Sequence, residues 1–167
     1  MTELKPLPPR EAIDAFAAKG YALAPSFSWK DRFQEDHAAS FTVAKAMSAD
    51  VLQTIHDGIA DALAEGKTLR QFRVELEPKL AAAGWWGQKP MTDPKTGETR
   101  LVQLGSPRRL KLIFDVNVRQ AHAAGQWARM QRVKGARPYV LYSALLDERT
   151  RPEHRAWHGT VVHIDDP

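Results

Sequence analysis

A long helical pattern between Ser106 and Gly135 constrains this chain of 167 residues more than any other feature. Ser106 and Pro107 supply an N-cap and a first helical position, and Gly135 supplies a stop, so the spacing predicts a helix over roughly 107–133. Leu110, Ile113, Phe114, Asn117, Ala121, Ala124 and Trp127 recur at helical spacing and form its expected inward face. The rest of the chain has to cover that face. An apolar content of 43% is enough for one sizeable core and one globular unit, with a loosely attached arm.

Two shorter helices precede it. Ser48 is placed to cap a helix that Gly66 closes, and Thr68 with Gln71 forms a capping box for another that runs to Gly84, with a kink expected at Pro78. Val51, Ile55, Ile59 and Leu63 make one apolar stripe, and Leu69, Phe72, Leu76 and Leu80 another, both ordinary core faces. Residues 1–44 are punctuated by prolines and carry scattered aromatics, Phe16, Tyr21, Phe27 and Trp29. They read as an arm with a short helix over about 9–19 and a charged, alanine-rich helix from Trp29 to Lys45, and the arm is expected to dock on a partner or another copy. Residues 45–167 then form the domain. From Gly87 to Gly105 the pattern is a β-hairpin with its tip at Lys95-Thr96-Gly97.

After the long helix, Tyr139 to Leu146 suits a largely buried strand, and Thr160 to Ile164 a second short strand. The predicted fold class is therefore α+β, with a helical N-terminal half packed on a small, mainly antiparallel sheet built from these strands and the hairpin. Between the strands lies a knot of ionisable groups: Asp147, Glu148, Arg149, Arg151, Glu153, His154, Arg155 and His158. So many rarely pack as plain core. One reading pairs Arg149, Arg151 and Arg155 with Asp147, Glu148 and Glu153 to fix a turn, while Trp157 and His158 pack on the strand. A second joins His154, His158 and Asp147 as ligands of a metal-dependent hydrolase or nuclease, although Pro152 sets a turn there rather than a helix interior. A third makes His154 a general base oriented by Asp147. No G-x-S-x-G elbow, phosphate-cradling glycine loop or dinucleotide fingerprint accompanies them, so an enzyme is not expected.

Charge is unevenly spread. Residues 1–106 hold 13 Lys and Arg against 14 Asp and Glu, whereas residues 107–155 hold 11 against 4. Arg108, Arg109, Lys111, Arg119, Arg129, Arg132 and Lys134 are candidates to line the outer side of the long helix and meet DNA or an acidic partner; a solvated helix face is the plainer alternative. With no cysteine there is neither a disulfide nor a thiolate metal site. No apolar run approaches a membrane span and no signal peptide opens the chain, which predicts a cytoplasmically made protein with no membrane partner.

In combination, GWWG at Gly84 to Gly87, SPRRLKLIFDVNVRQAHAAGQWAR at Ser106 to Arg129, RPYVLYSALLDERTRPEHRAWHG at Arg137 to Gly159 and the closing HIDDP resemble the phage Mu F-like head morphogenesis family of minor head proteins, over about residues 45–167. The resemblance implies a structural, non-enzymatic role in the head of a tailed phage or prophage, with no cofactor. Its implied partners are the portal protein or the major capsid protein, and packaged DNA without sequence preference. The family pattern continues past D-D-P into a tryptophan, a Pro-Pro-x-Gly-Trp segment and closely spaced cysteines, so this chain is expected to be a fragment, and any site those cysteines complete would be incomplete here.

Overall fold

The computed structural model describes residues 8–20, 26–28 and 40–166. Among them the order is α1 (Arg10–Gly20), α2 (Ala49–Glu65), α3 (Leu69–Ala82), β1 (Gln88–Thr92), β2 (Thr99–Gln103), α4 (Pro107–Val133), β3 (Tyr139–Leu141), α5 (Pro152–Trp157) and β4 (Val161–His163). The fold is α+β. Its strands form two separate two-stranded antiparallel ladders, β1 with β2 and β3 with β4, rather than the single small sheet expected from the sequence. Each ladder pairs strands that a local excursion brings together, which costs less loop-closure entropy than joining the hairpin to the last strands.

The chain divides into two compact units, one up to Gly125 and one from Gln126. In the first, the core runs through α1, α2, α3, the hairpin and the N-terminal part of α4. Val51, Ile55, Ile59 and Leu63 are buried along α2, and Phe72, Leu76 and Leu80 along α3, as their periodicity predicts. Gly66 ends α2 with φ +69, and the Thr68–Gln71 capping box is fully made. Ser48 holds the N-cap position of α2 without a side-chain hydrogen bond. The hairpin continues beyond its strands, because Gly87 N–H donates to the Gly105 carbonyl and Leu104 N–H to the Gly87 carbonyl. At Gly105 a Cβ would lie 2.5 Å from the Trp85 carbonyl oxygen, so only glycine fits this approach.

The described residues of the expected arm behave differently from its sequence reading. Phe16, only 3% exposed, stacks on His56 at 4.7 Å and meets Phe41 edge-on at 5.8 Å. Phe27 is buried as well. Residues 40–46, read from sequence as the end of a helix, instead form isolated bridges from Ala44 and Ala46 to Ser26, and they bury Phe41, Val43 and Ala46. Phe16 finds its ring partners within the chain itself, which removes the reason for sending it to another protein. Tyr21, Trp29 and residues 30–39 of the expected helix lie outside the described residues.

Helix α4 follows its prediction up to Gly125. Ser106 Oγ accepts from Arg109 N–H, and Leu110, Ile113 and Ala121 are buried. At Gly125 a Cβ would stand 2.7 Å from the Ala12 backbone nitrogen, so α1 and α4 touch backbone to backbone there. Ala124 and Trp127, predicted to face inward, are exposed, Trp127 by 50%. The inward face ends where the contact with α1 ends.

The unit from Gln126 is built on the β3–β4 ladder, in which Tyr139 pairs with His163 and Leu141 with Val161. Tyr142 N–H extends it to the Thr160 carbonyl, and Ile164 N–H to the Pro138 carbonyl. The strand expected to reach Leu146 thus stops early, and it is not largely buried: Leu141 is 64% and Leu145 82% exposed. Among the described residues of this unit Ile164 alone is buried. Two short strands and a six-residue helix cannot roof one another.

Candidate functional site

The excursion between β3 and β4 carries the charged knot, and its geometry is set by Asp147. The Asp147 carboxylate accepts from Arg149 N–H at 3.0 Å and lies 2.9 Å from the Thr150 hydroxyl, closing a turn of the Asx type. Thr150 Oγ1 also accepts from Asp147 N–H at 3.1 Å, and Arg155 donates to the Asp147 carbonyl at 2.9 Å. Pro152 then begins α5 as its first residue, so the expected turn is a short helix instead.

The ion pairs expected here are absent among the described residues. Among the described residues Arg149, Arg151 and Arg155 meet no carboxylate, and Arg155 holds the turn through a carbonyl. Where a carboxylate caps its own backbone it satisfies nearby N–H groups at little entropic cost, whereas an exposed ion pair fixes two long side chains for a small gain. Glu153 is exposed on α5.

The two imidazoles are engaged separately. His154 Nδ1 lies 2.7 Å from the Tyr142 hydroxyl, and the two rings sit edge-on to Trp157. His158 Nδ1 accepts from Ala144 N–H at 3.2 Å. Asp147 is therefore not the group that orients His154, as the acid–base reading required. Among the described residues no three His, Asp or Glu side chains converge as a ligand set, so the metal-dependent reading of His154, His158 and Asp147 finds no geometric support. What the turn does build is an open cleft of about 460 Å³, bordered by Tyr142, Leu145, Asp147, Arg149, Arg151 and His154.

The basic candidates of α4 do not act as one face. Arg109 is half-buried: it donates to the carbonyls of Gln103, Leu104 and Ala44 and stands 4.9 Å from the Trp85 ring. Burial pulls its guanidinium below the ordinary value. It is a structural tie, and this corrects its assignment to the outer surface. Lys111 pairs with Asp115 one turn on, and Lys134 with Asp165 at 3.0 Å. Arg129 and Arg132 are exposed. Arg108 and Arg119 are exposed without a carboxylate partner among the described residues, which leaves them, with Arg149 and Arg151, as the free cations of the candidate set.

Tyr142 and Thr150 hold the site together and were not singled out in the sequence, whereas Trp157, expected to pack on the strand, meets Tyr142 edge-on. The D-x-x-T spacing of Asp147 and Thr150 is the signal that identifies the turn.

Comparison with known proteins gives consistent results. The family described as Phage Mu protein F like protein matches residues 53–167. Protein F of Escherichia phage Mu, whose name assigns it to capsid assembly, is 43% identical over 160 residues, covering 96% of this chain and 36% of that protein. The Mu-like prophage FluMu F protein of Haemophilus influenzae is 39% identical over 142 residues, covering 85% of this chain and 33% of that protein. The chain thus spans about a third of the length of these relatives. No solved structure matches.

Proposed function

The chain belongs to the Phage Mu protein F like family, and from that membership we propose that it is a head morphogenesis protein of a tailed phage or prophage, resident in the virion head. It is a structural protein of the capsid, associated with the portal or the inner capsid during assembly, packaging or ejection. The observation that carries this reading is the apolar surface of the unit from Gln126, where Tyr139, Leu141, Leu145, Leu146, Trp157 and Val161 are each more than half exposed. Single exposed apolar residues are ordinary, but this many beside one buried residue mark a surface built for another protein. In this reading the domain of residues 45–167 presents that surface. The knot of Asp147, Arg149, Arg151, Glu153, His154, Arg155 and His158 shapes its turn rather than performing chemistry.

The exposed cations of each unit, Arg108 and Arg119 in the first and Arg149 and Arg151 in the second, support a secondary contact with packaged DNA. Two phosphate contacts from either unit would give a slope of log affinity against log salt of roughly −2, with no base preference. The experiment is co-purification with the portal and major capsid proteins, set beside a DNA titration at two salt concentrations. Association with a head protein together with weak, steeply salt-sensitive DNA binding is the expected outcome. Sequence-selective DNA binding that survives high salt, with no head-protein association, would overturn it.

A further inference from the structure

A recess of about 240 Å³ opens between the end of α1, residues 40–44 and the first turns of α4. Its inner wall is apolar, with Phe41, Val43 and Ile113 all buried. At its mouth Leu112 and Val116, one turn apart on α4, are 62% and 41% exposed. Two cations border it, and neither meets a carboxylate among the described residues. Lys19 Nζ donates to Gln120 Oε1 at 3.3 Å, and Arg109 spends its donors on backbone carbonyls. An ammonium has three donors, so most of the capacity of Lys19 remains unused. Partial burial also pulls Lys19 below its ordinary value of 10.5, the mark of a cation losing water without gaining an anion.

We propose that this recess receives an extended segment of a partner protein that carries a carboxylate beside a leucine-like side chain. The carboxylate meets the Lys19 ammonium, and the apolar side chain enters between Val43 and Ile113. Charge complementarity selects an acid, because the partly desolvated Lys19 ammonium recovers on binding part of what burial costs it. The exposed Leu112 and Val116 select a polymer over a small acid, since only a continuing chain covers the apolar strip outside the recess.

The test uses the full chain and two synthetic octapeptides, one alternating leucine and glutamate and one alternating leucine and glutamine, read by fluorescence anisotropy. The glutamate peptide should bind about tenfold more tightly than its neutral twin, the difference of one charge-assisted contact. Lys19→Gln should erase that gap with melting unchanged, and Lys19→Arg should restore it. Leu112→Ala should weaken both peptides equally. Equal binding of the two peptides, failure of both to bind, or a gap that survives Lys19→Gln would overturn the proposal. Tighter binding after neutralising Asp31, Glu35 and Asp36 would overturn it too, by assigning the recess to the chain's own acids.

Discussion

Replacing Phe16 by alanine separates a docking arm from a structural helix. Phe16 is 3% exposed, stacks on His56 at 4.7 Å and meets Phe41 edge-on, so truncation removes a buried ring and two aromatic contacts. Buried Phe→Ala changes cost about 3–5 kcal/mol, the transfer of the ring plus the cavity left behind. One local effect pulls the value towards the lower end. Among the described residues, His56 Nε2 is buried without a hydrogen-bond partner, and water entering the vacated space can satisfy it. We therefore expect a loss of about 3 kcal/mol, or roughly 6–12 °C in melting temperature for a chain of this size. Trp127→Ala, at a residue 50% exposed, should cost less than about 1 kcal/mol. The assay is urea unfolding followed by circular dichroism, with the denaturant slope unchanged and the midpoint lowered. A Phe16→Ala variant within about 0.5 kcal/mol of the parent would refute the packing of α1 on α2 and reinstate a detachable arm.

Three further outcomes follow from particular contacts. Gly125→Ala gains roughly 1 kcal/mol of helix propensity, but its Cβ would stand 2.7 Å from the Ala12 nitrogen, so calorimetry should show a net loss of about 1–2 kcal/mol. Arg109→Ala removes the donors to three carbonyls and the contact with Trp85, and should cost about 2–4 kcal/mol in chemical unfolding, whereas exposed Arg108→Ala should be close to neutral. The hydrogen bond to Glu75 raises the Lys67 ammonium above its ordinary value of 10.5, so its contribution is complete below that pH and is lost as pH rises through the raised value. Melting curves across that alkaline range should fall less steeply in Lys67→Met than in the parent.

Much of the α-helical frame was legible because its signals are local. The Thr68–Gln71 box, the left-handed Gly66 and the stripes of α2 and α3 each lie within a few residues, and each stands where the periodicity put it. The fate of Phe16 depended on His56 and Phe41, distant partners that no local pattern reveals. The exposure of Leu141 and Leu145 was hidden for a related reason: an apolar run predicts a strand, but burial needs a second layer, which this unit lacks. At the knot, the pairing of side chains was not legible in the sequence. Counting charges suggested ion pairs, whereas Asp147 caps its own turn and Arg155 reaches a carbonyl. Arg109 was read as surface from its helical phase, yet Trp85 and the Gln103 and Leu104 carbonyls draw it inward.

The claim that the unit from Gln126 presents an assembly surface is tested most directly by head incorporation of the pair Leu141→Lys with Val161→Asp. These residues face each other across the β3–β4 ladder, so opposite charges preserve the cross-strand pair while erasing its apolar face. The account predicts unchanged melting and incorporation into heads reduced about tenfold or more, the scale of losing a central apolar contact. Incorporation at the level of the parent chain, with the apolar face gone and the fold intact, would contradict it.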